Sequence, residues 1–347
     1  MKYRLFLFSL ILAPMLSWGQ VNSRLSAELQ SATLTASTED LIPVIIALKD
    51  PVNREAVERS VSSLRSVDSK RKAVMRQLSL ARTPGLNAVS SLLNVAVSQH
   101  KAADVQKLVI GNLITCRVSA STLQQLQQHN QVLWIDIDRT ANLNIPENSN
   151  ISEPTPALRT TAPTTAWNID YIEAPRVWNE FKITGKGVLV ALLDSGVDYN
   201  HPDLQGNMWL SAEYPHYGWD FVDNDNDPID EAGHGTHSAG TIAGKRTGNV
   251  SCGVAPDATI MIIRVLDKDE AGKLSNILKG IDFATRNNAD IISASLGFEG
   301  LSFQTRNLVR QAFDDLALFN IPAIIAAGND GKNINGTNNQ SLAQIDN

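Results

Sequence analysis

Residues 187–196 read GVLVALLDSG, a continuous apolar run from Val188 to Leu193 that ends on Asp194 and a Ser195-Gly196 turn. A strand apolar at every position must be covered on both faces, as the inner strands of parallel sheets are. Runs of the same kind follow at Ile260 to Leu266, Ile291 to Ala294 and Ala323 to Ala327. Between them apolar residues recur at helical spacing, at Leu274, Leu278 and Ile281 and again at Leu308, Ala312, Leu316 and Phe319. Strand–helix alternation predicts an α/β fold, a parallel sheet flanked by helices. In such sheets chemistry collects at the carboxyl ends of the strands.

Upstream, Ile145 to Ala166 is rich in Pro, Ser, Thr, Asn and Glu, with Pro146, Pro154, Pro156 and Pro163, and reads as an extended linker over residues 145–166. It separates a first part, residues 21–144, from a second, residues 167–347. The first part reads as a strand at Leu41 to Leu48 and a long helical stretch, followed by a strand at Leu108 to Val118. A helix at Ser121 to His129 and a strand at Val132 to Ile137 complete it. That order suits a small α+β sandwich. Lys2 and Arg4 precede an apolar run, Leu5 to Leu16, and Ser17-Trp18-Gly19 places small residues as a cleavage site requires. Residues 1–20 are therefore expected to be a secretory signal peptide, which predicts a periplasmic or extracellular protein with no membrane span once it is cut.

The 347 residues are 43% hydrophobic and 19% charged, enough to bury real cores, which excludes a wholly disordered or fibrous chain. A net charge of −6 argues against nucleic acid as the partner. Residues 1–160 carry 17 Lys and Arg against 12 Asp and Glu, and residues 161–347 carry 13 against 24, so the two parts can dock with complementary fields. The two cysteines, Cys116 and Cys252, lie in different parts and read as buried free thiols. A monomer is expected, stabilised by packing and by bound ions.

Candidate chemistry sits at the strand ends. Asp194 ends the first strand, where a carboxylate is costly unless something there needs its charge. Forty residues on comes Gly233-His234-Gly235-Thr236-His237, then Ala239-Gly240-Thr241-Ile242-Ala243-Gly244, whose small residues predict a helix packed tightly on the sheet with His234 in its first turn. A His there can be oriented by Asp194 and act as a general base. His234 and His237 at spacing three could alternatively form a zinc pair with Asp194, although no fourth ligand or HExxH-type Glu accompanies them. Ser295-Leu296-Gly297 and Ala326-Ala327-Gly328-Asn329 end two further strands, the last offering a neutral amide suited to a developing oxyanion. Asp220, Asp223, Asp225, Asp227 and Asp230 crowd the loop before His234, where mutual repulsion invites a hard cation such as calcium.

The stretches DSGVDYNHPDL, GHGTHSAGTIAG, GVAP, SLG and AAGNDG, in this order, closely resemble the subtilisin-like serine proteases, or subtilases, over about residues 167–331. The resemblance implies a serine endopeptidase acting on polypeptides, with Asp194 as the triad acid, His234 as the base and Asn329 as the oxyanion-hole donor. It implies that Ser295, Leu296 and Gly297 are the edge pairing with extended substrate, and that Ala326, Ala327 and Gly328 form a wall of the pocket before the cut. Calcium is the expected structural cofactor, with Asp220, Asp223, Asp225 and Asp227 similar to a thermitase-type site and Asp203 to a ligand of a second. Residues 21–144 look like the inhibitor-type propeptide of subtilases, itself a partner of the catalytic part.

The resemblance also calls for a serine in a GTSMAxP-like motif, and the 347 residues contain none. Only 18 residues follow Asn329, and Gly336-Thr337-Asn338 has Asn where that Ser would stand. The expectation is that residues 167–347 are the N-terminal portion of the catalytic domain and that the chain as written does not turn over substrate. The alternative is a non-catalytic inhibitor-like or binding module.

Overall fold

The computed structural model describes residues 24–37, 39–142, 165–245, 252–297 and 301–326. The expected signal peptide, most of the linker (all but residues 165–166), and Ala327, Gly328 and Asn329 lie outside these. In order, the elements are α1 (Ala27–Thr35), β1 (Ile42–Leu48), α2 (Arg54–Val61), α3 (Val67–Ser98), β2 (Ala102–Leu108), β3 (Leu113–Val118), α4 (Ala120–Gln128), β4 (Val132–Ile137) and β5 (Thr140–Asn142). Then follow α5 (Trp167–Tyr171), α6 (Ala174–Phe181), β6 (Leu189–Asp194), β7 (Gly218–Asp220), α7 (His234–Ala243), β8 (Thr259–Arg264), β9 (Ala271–Lys273), α8 (Leu274–Arg286), β10 (Ile291–Ala294), α9 (Phe303–Leu318) and β11 (Ala323–Ile325).

The first part is an antiparallel sheet in the order β2-β3-β1-β4, an α+β unit as expected. The expected strand at 108–118 is corrected. A 3₁₀ turn at Ile110–Asn112 divides it, because Gly111 (φ 75°) and Asn112 (φ 54°) take left-handed backbone that no strand continues through. The segment before the turn is a separate strand, β2. α3 lays a stripe of Val74, Leu78, Leu86, Val89 and Leu93 into the core at helical spacing. Arg82 stands in the middle of that apolar stripe, fully buried.

The second part is a five-stranded parallel sheet in the order β11-β10-β6-β8-β7. The run quoted above becomes β6, and its alternate residues serve two cores. Ala191 and Leu193 face the cluster built by α8 and α9, while Val190 and Leu192 face Ala239 and Ala243 of α7. Two-faced burial is the reason the run is apolar throughout.

The parts share a core, and polar contacts join them. Arg82 meets Asp315 of α9 at 2.5 Å and Asp50 at 2.5 Å, while Arg71 meets Asp290 at 3.0 Å. α8 has no side-chain cap of its own, and Asp138 supplies one by accepting from Ser275 N at 2.9 Å and Ser275 Oγ at 2.6 Å. β5 pairs antiparallel with β9, Asn142 opposite Ala271 and Thr140 opposite Lys273. Cys116 is buried, its thiol pushed up to about 12 by that burial, whereas Cys252 is only half-buried. Among the described residues no helix is long and apolar enough to cross a membrane.

Candidate active site

β6 delivers Asp194 to the carboxyl edge of the sheet, 1% exposed. α7 starts at His234, preceded by Gly233 in left-handed backbone (φ 98°). Gly235 lets the helix start press against the turn after β6, since a Cβ there would lie 2.0 Å from the Gly196 carbonyl oxygen. That approach brings His234 Nδ1 to 2.6 Å from Asp194 Oδ1. Oδ1 also accepts from Ser195 N at 2.8 Å, and Oδ2 is buried without a hydrogen bond among the described residues.

A carboxylate cannot donate, so the proton of this contact sits on Nδ1 and leaves Nε2 as the basic nitrogen. The hydrogen bond that His234 donates to Asp194 raises the His234 pKa above its ordinary value, against burial, which lowers it; the Asp194, Glu270 and Asp230 charges add to the rise. Among the described residues nothing is hydrogen-bonded to Nε2. His234 is partly exposed and can therefore meet a proton donor approaching from solvent. The arrangement can take a proton from a nucleophile and return it to a leaving group.

The other expected residues divide. Ser295, Leu296 and Gly297 follow β10 along the same sheet edge, with Leu296 buried. Ala326 follows β11, its N–H bonded to the Ala294 carbonyl at 3.2 Å, and Ala327, Gly328 and Asn329 lie outside the described residues. His237 is exposed on α7, away from the pairing of His234 with Asp194.

The acidic loop does not gather round a point. Asp220 and Asp223 meet the Arg264 guanidinium at 2.6 and 2.8 Å, and Glu231 meets it at 2.5 Å. Asp227 accepts from the Tyr199 hydroxyl at 2.6 Å, and Asp225 Oδ1 from Asp227 N at 2.9 Å. Asp203 lies beside Lys245, whose N–H donates to its carbonyl at 2.8 Å. Among the described residues no group of three or more His, Cys, Asp or Glu side chains is placed to hold a metal ion. Arg264 was missed by sequence reasoning, because nothing local marks an Arg inside an apolar run as the counter-ion of a loop 41 to 44 residues away.

Comparison with known proteins decides the family. Residues 185–346 match the subtilase family of peptidases. Residues 185–346, a little under half of the chain, are a subtilase segment. The subtilase segment begins just before β6 and holds both Asp194 and His234. The chain is 31% identical over 290 residues to the minor extracellular protease Vpr of Bacillus subtilis, covering 80% of this chain and 32% of that protein. It is 43% identical over 128 residues to thermitase of Thermoactinomyces vulgaris, covering 36% of this chain and 42% of the relative. To subtilisin E of Bacillus subtilis it is 30% identical over 248 residues, 71% of this chain and 57% of the relative. The chain thus spans from about a third to just over half the length of these relatives.

Proposed function

We propose that this subtilase belongs to an exported serine endopeptidase that cuts polypeptides through an acyl-enzyme, with Asp194 orienting and His234 acting as base. The observation that carries this reading is the 2.6 Å contact between Asp194 Oδ1 and His234 Nδ1 at the carboxyl edge of a parallel sheet. Export is supported by the charged and apolar pattern of residues 1–20 and by the extracellular relative. The nucleophile is a serine in a GTSMAxP-like motif. No such motif stands in the 347 residues, so this chain by itself is proposed not to turn over substrate. Calcium binding by the loop at Asp220–Asp227 is supported by its acidic composition and its similarity to a thermitase-type site, with Arg264 neutralising part of its charge.

The first part is proposed as an inhibitory propeptide, residues 21–144. It is supported by β5 lying antiparallel on β9, as an extended peptide would, and by Asp138 capping α8. The alignment with the extracellular protease is longer than the subtilase segment and takes in much of this unit. The same docking favours the second reading, an inhibitor-like module without turnover.

Sequencing the gene past codon 347 and expressing its product separates the two. A GTSMAxP-like motif, with labelling by a fluorophosphonate that His234→Ala abolishes, is the expected result. Casein hydrolysis by the purified 347-residue chain, lost in His234→Ala, would overturn the proposed position of the nucleophile. A gene product without the motif or labelling would leave the inhibitor-like module.

A further inference from the structure

We propose that Asp230 is the positioning residue that holds His234 against Asp194. Its Oδ1 accepts from Ser195 Oγ at 2.9 Å, Ala232 N at 3.0 Å and Gly233 N at 2.9 Å. Its Oδ2 accepts from Thr236 N at 2.8 Å and Thr236 Oγ1 at 2.5 Å. These donors come from two places. Ser195 directly follows Asp194 at the end of β6, and residues 232–236 bracket His234 at the start of α7. One carboxylate thus ties the turn carrying the acid to the turn carrying the base.

Two further bonds close the tie. Ser195 Oγ accepts from Gly235 N at 2.9 Å, and Thr236 Oγ1 accepts from Asp198 N at 2.8 Å. α7 has no side-chain cap at Gly233. The N–H groups of Gly235 and Thr236, which have no partner inside the helix, are taken instead by Ser195 and Asp230. A negative charge at this end is favoured by the helix dipole. Burial works to raise the Asp230 pKa, but the bonds from Thr236, Gly233 and Ala232 prevail and hold it below the usual carboxylate range, so it remains an ion.

The five donors need a group that accepts on both oxygens. Asn is the same size but turns an NH₂ toward either the Thr236 pair or the Ser195 and Ala232–Gly233 set. Asp230→Asn therefore breaks one side of the tie while leaving volume unchanged. An ordinary helix cap would lower stability on this substitution and leave the contact of His234 with Asp194 as it was.

The test uses the whole 347-residue chain labelled with ¹⁵N-histidine and reads the low-field Nδ1–H line of His234, assigned by its absence in His234→Gln. Asp230→Asn is expected to lose this line, with the circular dichroism spectrum and the other histidine lines unchanged. Thr236→Val, which removes one donor to Asp230 and the acceptor of Asp198 N, is expected to weaken it, and the surface variant Asp68→Asn to keep it. A folded Asp230→Asn protein that keeps the line at its original shift, with only a lower melting temperature, overturns the proposal. If Asp230→Asn does not fold, Thr236→Val decides: an unchanged line overturns the proposal and a weakened one supports it. The reading needs only the pairing of His234 with Asp194, so it stands or falls separately from the position of the nucleophile.

Discussion

Asp194 and Arg264 end neighbouring parallel strands in register, opposite charges side by side, yet they do not pair. Arg264 directs its guanidinium to Asp220, Asp223 and Glu231, and Asp194 keeps its carboxylate for His234. The division matters chemically. A guanidinium on Asp194 would offset the charge that raises the basicity of His234. The loop carboxylates engage Arg264, and the Asp194 carboxylate is left to its contact with His234.

Replacing Arg264 should therefore act on stability first. Asp220 is 1% exposed, and in Arg264→Met its carboxylate is left buried without its counter-ion. Breaking a buried pair from one side costs about 3–5 kcal/mol, and burial already pushes the Asp220 pKa up despite the hydrogen bonds that lower it. Urea denaturation should show a loss of that order, partly recovered at acid pH where Asp220 takes up a proton. A loss under about 1 kcal/mol would show that the pair is already hydrated, as surface pairs are.

The pairing of His234 with Asp194 should also appear in the pH dependence of stability. The folded pKa of His234 is raised above its unfolded value of about 6.5, chiefly by the Asp194 hydrogen bond. The stabilisation is thus fully present below the unfolded value and is lost as pH rises through the folded one. Urea midpoints for the wild type should fall across that window relative to Asp194→Asn, which lacks the carboxylate. Parallel curves for the two proteins would contradict the pairing.

Gly235 is required by the close approach of α7 to the turn after β6. In Gly235→Ala the new Cβ falls 2.0 Å from the Gly196 carbonyl oxygen and 3.2 Å from the Asp194 Cβ. The helix start must move away, at a cost of about 1–3 kcal/mol for overpacking, and the bond between His234 and Asp194 should lengthen with it. A crystal structure of the variant measures that distance directly, and an unchanged 2.6 Å would show that the Gly196 turn yields instead.

Arg82 tests how the two parts are held together. It sits fully buried in the apolar stripe of α3, bonded to Asp50, to Asp315 and to the Val109 carbonyl. Arg82→Met should destabilise by about 3 kcal/mol or more, because Asp315 is left buried with the more exposed Arg54 as its remaining cation. Arg82→Met combined with Asp315→Leu should recover much of the loss, and a double-mutant cycle by urea denaturation measures the coupling. Additive losses would place the two side chains in separate environments.

Much of this was legible in the chain itself. Two-faced apolar runs fixed β6, β8 and β10 and the parallel sheet, because burial on both faces leaves no alternation to read. The ends of β8 and β11 came earlier than the apolar runs did, and β5, β7 and β9 were not legible, because three residues of strand carry too little pattern. Gly111 broke an apolar stretch that periodicity reads as one strand. Asp194 and His234 were legible because a buried acid at a strand end and a His among glycines are each costly or unusual unless they meet.

The sequence by itself determined the parallel sheet, and it singled out Asp194 and His234, which the structure brings to 2.6 Å of each other. Each of these follows from burial, spacing or residue chemistry within a short window. Only the tertiary structure decided what the other charges do. Asp230 reads as one more acid in a crowded loop until Ser195 and Thr236 converge on it. Arg82 reads as a breach in an apolar stripe until Asp315 arrives from 233 residues away. Charge in a chain has a sign but no partner, and the partner is set by which strands and helices the packed core brings together.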